Sequence, residues 1–392
     1  MLKSLALAVL ALMLAGAAGT PRPANAADAS PFTIDVILSM TGQGAFVGQA
    51  QHDTLVALEN VENKRGGIQG RPIHFAFKDD ATTPQVAVQA VNAAIGEHVA
   101  VLIGPSIAVT CKAAAPLIVS GPVTYCLSPS VAPAKGSYLF SAIVSTHDQV
   151  DGLLHSFHQR GWNRIAILNP TDATGQDADD SIAAAMAKPE NRNLTIVDTE
   201  HFTITDLSVS AQLAKIKAAN PQILISWTTG TPFATVLRGL SDTGLDVPLI
   251  GSPGNMTYAQ MKQYANILPK ELYFPTEPYV IEPPQPKLAT AQREFVETFK
   301  ALGVRPDLQT GIAWDAAKLI ILALRKLGTG ASATQVRDYL QTVHGYVGIC
   351  GIYDFRDGSN RGIGPNDAML ARWNPAIDTW VAASQMGFAP LR

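Results

Sequence analysis

The chain has 392 residues, which suits two ordinary domains better than one core. Lys and Arg total 29 against 32 Asp and Glu, a formal net charge of −3, so there is no basic field of the kind that nucleic acid selects. With 47% hydrophobic and 16% charged residues the composition is not that of a disordered chain, and three cysteines are too few for a disulfide scaffold.

The N-terminus carries Lys3, an unbroken apolar run over 5–14, small residues, and then Pro23, Ala24, Asn25, Ala26 and Ala27 with an A-x-A site. This pattern predicts a secretory signal peptide, residues 1–26, cleaved after Ala26. An uncleaved anchor is the competing reading, but the apolar run is short for a hydrocarbon core of roughly 30 Å. No cysteine follows the run, which argues against a lipid anchor. The mature protein is expected in the periplasm.

A β-branched, mostly apolar strand is expected over 32–39, followed by a Gly-rich turn over 40–48. A helix is expected over 49–64, with Leu55, Val56, Leu58 and Val61 on its apolar face, and the glycines of 65–70 end it. Strands over 73–78, 99–103 and 123–127 alternate with helices over 83–97 and 110–120. Gly104–Ser106 and Ser128–Ser130 form strand-to-helix turns. This β-α alternation predicts a parallel, doubly wound sheet. The pattern restarts with strands over 164–169, 194–202, 222–227 and 248–250 and helices over 177–187, 208–219 and 233–243. The join between the two units is expected near 141–146.

The tail is expected to hold a strand over 271–279, a Pro-rich loop over 282–286, helices over 290–302, 309–327 and 334–343, a segment over 352–355 leading into a hairpin-like turn over 356–361, and short strands over 368–372 and 379–382. Such a tail crosses between lobes more than once and makes a hinge of several segments. The expected lobes are 27–143 with 280–355, and 144–279 with 356–392.

Catalytic equipment is thin. His147, His155 and His158 lie near Asp148 and Asp151, but they form no shielded ligand set. Asp172, Asp177, Asp179 and Asp180 lack the spacing of a calcium loop and read as a solvated helix start. There is no G-x-S-x-G elbow and no Walker motif. Gly42, Gly44 and Gly48 have the wrong spacing for a dinucleotide turn, even with Asp79 or Asp80 ending the second strand. No catalysis, cofactor or metal is expected.

The layout does provide a cleft, because open parallel sheets bind ligands beyond the carboxyl ends of their strands. Ser106 with neighbouring N–H groups, and a hydroxyl of Ser128 or Ser130, are candidates for holding a carboxylate. The plainer reading makes these serines N-caps. Phe46, Trp227 and Tyr279 are candidates for stacking an apolar ligand body, with Met256 and Tyr258 weaker. Cys111 and Cys126 are a candidate pair in an oxidising compartment, leaving Cys350 single near the hinge.

Several segments in order carry a likeness: Leu38 to Gly48, Asn63 to Gly70, Asp79 with Asp80, Gly104 to Ser106, Ser128 to Ser130, and Tyr353 to Phe355 with Gly358. Through them the chain resembles the branched-chain amino-acid-binding proteins of periplasmic transport systems over nearly all of 32–380. That resemblance implies a type I periplasmic binding fold, with two doubly wound parallel-sheet lobes joined by a multi-strand hinge. It also implies capture of a small solute, delivery to an ABC permease and no chemistry. Ser106 keeps the family serine after Gly104 and Pro105. Thr174 and Gly175 replace the family Tyr-Gly, and the stretch from Ser252 to Asn255 has no acid where family members hold the ligand ammonium group. Asp148 stands near a family aspartate, and Asp148, Thr174 and Asn255 are taken as candidate ligand-binding residues on this likeness. A buried ammonium needs a compensating partner, so the expected ligand is a carboxylate without one, an aromatic acid reaching Trp227 or Phe46. A branched-chain amino acid is the runner-up, and a short amide or urea comes third. An exported enzyme would need a nucleophile, base and orienter in the cleft, and a sensing ectodomain would act through a partner protein. A monomer is expected, because delivery needs the cleft mouth free.

Overall fold

The computed structural model describes residues 30–356 and 359–391. The expected leader, with its cleavage point after Ala26, and Gly358 lie outside the described residues. The first unit runs β1 (Phe32–Leu38), α1 (Ala45–Lys64), β2 (Ile73–Asp79), α2 (Pro84–Gly96), β3 (Val101–Ile103), α3 (Ala108–Ala114), β4 (Val123–Tyr125) and β5 (Leu139–Phe140). The second runs α4 (Thr146–Arg160), β6 (Arg164–Pro170), α5 (Ala173–Met186), β7 (Thr195–Phe202), α6 (Ser210–Ala218), β8 (Ile223–Ser226), α7 (Pro232–Thr243), β9 (Leu249–Gly251), α8 (Tyr258–Gln263) and β10 (Leu272–Thr276). The tail adds α9 (Ala289–Ala301), α10 (Leu308–Leu327), α11 (Ala333–Leu340), β11 (His344–Val347), β12 (Ile352–Asp354), β13 (Met369–Asn374) and β14 (Thr379–Ala382).

The first sheet has five strands in the order β2-β1-β3-β4-β5, all parallel. The second has seven, in the order β14-β13-β10-β9-β8-β6-β7. Its five strands β7-β6-β8-β9-β10 are parallel and repeat the order of the first sheet. β13 and β14 join antiparallel, so this sheet is mixed rather than parallel throughout. Buried apolar runs explain the central strands: Ile34, Val36, Ile37 and Leu38 of β1 are all covered, as expected of a strand packed on both faces. Two helices begin earlier than periodicity predicts. A short 3-10 turn over Gly42–Gly44 leads directly into α1, and Asp172 caps α5 by accepting from the N–H groups of Thr174 and Gly175, each at 3.1 Å. β5 and β11 had no strand signal of their own.

The chain passes between the sheets after β5, after β10 and again before β13. Between the last two passages, α10 packs back on α1. Fully buried Glu62 of α1 meets Lys318 at 2.9 Å and Arg325 at 2.6 Å. Buried polar groups tie the passages together. Glu277 accepts from the Val144 N–H at 3.0 Å. Arg361 donates to Ser141 Oγ at 3.0 Å, to Pro129 O at 3.2 Å, and to the carbonyls of Ile143 and Val131. Tyr353 donates to Ala142 O at 2.8 Å.

Burial pushes the carboxyls of Glu277 and Asp307 up to about 7. The native state therefore keeps protons that the unfolded chain releases near the ordinary values of 4.5 and 3.8. Their contribution is fully present below those unfolded values and is lost as pH rises through about 7. The melting temperature followed by circular dichroism is expected to be several degrees lower at pH 8 than at pH 5.5. A flat or rising profile would count against buried, protonated carboxyls.

Candidate functional site

In both sheets the strand order reverses at one point, between β1 and β3 and between β6 and β8. Beyond the carboxyl ends of such strands lies the crevice where open α/β sheets take ligands. Here the two crevices face each other and are closed. The Thr231 N–H, just after β8, donates to Gln43 O, just after β1, at 3.1 Å. Lys112 of α3 meets Asp177 of α5 at 3.0 Å. Gly230 makes this approach feasible. Its φ is +84°, and a Cβ there would stand 2.1 Å from Gln43 O.

Local hydrogen bonds hold the loops. Asp79 accepts from the N–H groups of Met40, Thr41 and Ala81 and from the Thr41 hydroxyl, and these bonds draw its carboxyl below the usual range. Asp80 accepts from Ser39 Oγ at 2.7 Å and from the Thr82 N–H at 2.9 Å. In the second unit, Asn169 accepts from the Trp227 N–H at 2.7 Å and donates to Asp179 at 2.7 Å. The disulfide Cys111–Cys126 joins α3 to the end of β4, so one crosslink steadies the turn carrying Ser106 and the turn carrying Ser128. Cys350 is a buried free thiol.

Between the facing loops lies a small cavity of about 40 Å³. Val47, Ile107, Leu127, Ile143, Trp227, Leu308 and Ile312 supply its apolar wall, and Ser106, Ser128, Ser130, Thr146, Thr174, Thr229 and Ser252 supply hydroxyl-bearing residues. Of the residues singled out from sequence, Ser106, Ser128, Ser130, Thr174 and Trp227 come together here. Ser106 is not a free donor as expected. Its hydroxyl gives its proton to Gln51 Oε1 at 2.7 Å and accepts from the Ser39 N–H at 3.1 Å, which pins the turn to α1. Ser128 and Ser130 share a hydroxyl hydrogen bond of 2.8 Å.

The other four stand elsewhere. Phe46 is half-buried and packs edge-on to Tyr264, with centroids 6.4 Å apart. Asn255 is fully buried and shapes the turn after β8, donating to Thr228 O at 2.6 Å and accepting from the Gly230 N–H at 3.0 Å. Tyr279 is buried beside Phe295 and gives its hydroxyl proton to Leu308 O. Asp148 accepts from the N-capping Ser145 hydroxyl at 2.7 Å, beside a hinge-side groove of about 470 Å³. Met256 and Tyr258 also lie outside the cavity lining, Tyr258 packing on Trp380.

Asp177, read from sequence as part of a solvated helix start, lines the cavity instead. One of its oxygens holds Lys112, while Oδ2 is buried without a partner. Nothing in the spacing of the four aspartates marks it out. The one legible hint is the fold itself, which puts the start of α5 at the switch point.

A family model described as periplasmic binding protein matches residues 31–378. Leu/Ile/Val-binding protein homolog 3 of Brucella melitensis is 26% identical over 231 residues, covering 57% of this chain and 61% of that protein. The match to Leu/Ile/Val-binding protein BraC3 of Rhizobium johnstonii has the same coverage at 23% identity, so this chain spans about three fifths of these relatives' length. Among solved structures, an extracellular ligand-binding receptor from Rhodopseudomonas palustris HaA2 superposes with a TM-score of 0.80 at 20% identity, covering 90% of this chain and 99% of that one. An R. palustris solute-binding protein in complex with benzoate gives 0.78 at 16% identity, covering 92% and 97%. The substrate-binding protein LivJ of Streptococcus pneumoniae, in complex with isoleucine, gives 0.74 at 17% identity, covering 88% and 96%. These likenesses establish the type I periplasmic binding fold, and with the match over 31–378 the chain belongs to the periplasmic binding protein family.

Proposed function

We propose that this protein is an extracytoplasmic solute-binding protein of an ABC importer, which closes two lobes over a small carboxylate. The lobes are taken as 27–143 with 280–355 and 144–279 with 356–392. The observation that carries this reading is the cavity at the paired switch points, sealed by contacts between the two units and lined by hydroxyls and apolar side chains. Neutral hydroxyl donors such as the Ser128–Ser130 pair suit a carboxylate in a dry site, because hydrogen bonds to an ionised acceptor are the strong ones. Trp227, 2% exposed and in the lining, offers a flat wall to an aromatic body. The favoured ligand is an aromatic acid of the benzoate, phenylpyruvate or phenylpropenoate kind. The benzoate complex of a structural neighbour supports that choice. The runner-up, a hydrophobic amino acid, draws support from the isoleucine complex and from the relatives' names. The reading goes with export to the periplasm, a monomer and delivery to a permease, and assigns no catalysis.

The test is a thermal-shift panel of aromatic acids, aromatic keto acids, leucine, valine and small amides. A ligand bound only by the folded state adds about 2.7 kcal/mol at a hundred times Kd. Aromatic acids are expected to raise the melting temperature, and the double change Ser128→Ala with Ser130→Ala should weaken their binding about tenfold or more. A shift with leucine and none with aromatic acids would transfer the assignment to the runner-up. Turnover of any of these compounds would overturn the binding-protein reading.

A further inference from the structure

Three stretches of chain pass between the units, and one carboxyl sits where they meet. Glu277, just after β10 in the second passage, is fully buried, and its Oε1 accepts from the Val144 N–H of the first passage at 3.0 Å. Gln149 of α4 donates to the carbonyl of the same Val144 at 3.1 Å, so that residue is gripped at both backbone groups. Arg361 of the third passage gives its protons to Ser141, Ile143, Pro129 and Val131, and its charge reaches Glu277. Glu277 Oε2 is buried with no hydrogen-bond partner among the described residues. An ionised carboxylate so enclosed, with one oxygen unserved, is far less favourable than the neutral acid.

The groups that face it do not reverse this balance. Arg361 favours ionisation, but its guanidinium is spent on uncharged oxygens. Asp367, tied to the Gly364 N–H at 3.1 Å, opposes ionisation. Burial pushes the Tyr279 phenol and the Cys350 thiol up, so both stay neutral. From α4, Gln149 is uncharged and Asp148 acts on Arg361. Desolvation prevails and holds the Glu277 carboxyl at about 7.

We propose that Glu277 is a proton-operated switch in the hinge: protonated, it lets the three passages pack in the closed arrangement, and ionised, it favours an open one in which the bond to Val144 loosens and water reaches the carboxylate. This rests on the reading of two closing lobes and goes beyond it, because no ligand group takes part. Closing then takes up a proton. With the open form nearer the ordinary 4.5, affinity is highest in acid, falls as pH rises towards about 7, and levels off above it. One proton per closure changes affinity by up to about tenfold per pH unit within that window.

The probes are benzoate and phenylpyruvate, which stay ionised from pH 5.5 to pH 8. Dissociation constants are measured by calorimetry at both values on the wild type, Glu277→Gln and Asp307→Asn. Glu277→Gln keeps an acceptor for the Val144 N–H and cannot ionise. Asp307→Asn does the same at the other carboxyl held near 7, which caps α10 by accepting from the N–H groups of Gln309 and Thr310. The wild type is expected to bind about tenfold or more weakly at pH 8 than at pH 5.5. Glu277→Gln should bind equally at both, with the wild type's low-pH affinity, and Asp307→Asn should keep the wild-type slope. Wild-type titrations near pH 6.5 in two buffers of different ionisation enthalpy count the protons taken up. That count should approach one, and it decides the matter if a variant does not fold. A flat wild-type profile, a slope that survives in Glu277→Gln, or a slope abolished by Asp307→Asn overturns the proposal and leaves the solute-binding reading standing. If neither acid binds at either pH, the aromatic-acid reading falls, and solution scattering of the free protein decides on the switch. A wild type more compact at pH 5.5 than at pH 8, with Glu277→Gln unchanged, supports it, and equal compaction at the two values overturns it.

Discussion

Gly230→Ala is expected to lower ligand affinity about 10- to 100-fold. The methyl would stand 2.1 Å from the Gln43 carbonyl oxygen, a contact that exists because the two units are closed on each other. On the proposed reading the lobes open to release ligand and these groups separate, so the substitution would act on the closed state and therefore on binding. A second effect is independent of closure. A φ of +84° disfavours any side chain, and alanine there should remove about 1–2 kcal/mol of stability in either form. Gly244→Ala separates the two effects. Its φ is +58° and its Cβ would meet only Lys217 Nζ, at 3.8 Å, so it shares the backbone strain without the contact between units. Calorimetry on both variants with the best acid of the panel reads the difference, and solution scattering reads the compaction on adding that acid. Wild-type affinity in Gly230→Ala would mean that binding does not need this closure.

Replacing both Cys111 and Cys126 by serine is expected to lower stability by about 3 kcal/mol. The bridge closes a loop of sequence separation 15, and constraint of the unfolded chain over that length gives about this figure. A melting temperature lower by about 4 °C follows for a chain of this size, since unfolding entropy is about 2 cal/mol/K per residue. The bridge also joins the two turns that form the first unit's wall of the cavity, since Cys126 lies two positions before Ser128 and Cys111 five after Ser106. Affinity should fall a few-fold as those turns loosen. The same losses are expected on reducing the wild type. A double variant that melts with the wild type would show that the bridge adds no constraint the fold lacks.

Much of this architecture is legible in the residues. The first unit's strand-turn-helix rhythm appears in the apolar runs of β1, β3 and β4 and in the small polar turns that follow them. A parallel sheet puts its crevice at those turns, which is why Ser128, Ser130, Thr174 and Trp227, named from sequence, all line the cavity there. The errors share one cause. Whether a polar side chain is free depends on partners far away in sequence, and periodicity carries no record of them. Ser106 was expected to offer a proton that Gln51, fifty-five positions earlier, already holds. Tyr279 looked like a ligand wall, yet its hydroxyl goes to Leu308, twenty-nine positions on. Asp177 looked solvated because Lys112, which holds it, comes from the other unit. Asn255 was chosen for its place after β9, but its amide is spent on the neighbouring turn. The edge strands β13 and β14 were found, while their antiparallel sense depends on pairing that no local pattern states.

The bonds that tie the tail to the first unit also set an order of events for a nascent chain. Glu62 in α1 finds Lys318 only 256 positions later, and the carbonyls near 130 find Arg361 some 230 positions later. Contacts so far apart form late, because the loop between them must close first. The first sheet therefore lacks its α10 cover and its hinge clasp until nearly the whole polypeptide has been made. On the proposed reading of an exported protein, that dependence on the last hundred residues would leave the first unit without its cover while the chain is still being made.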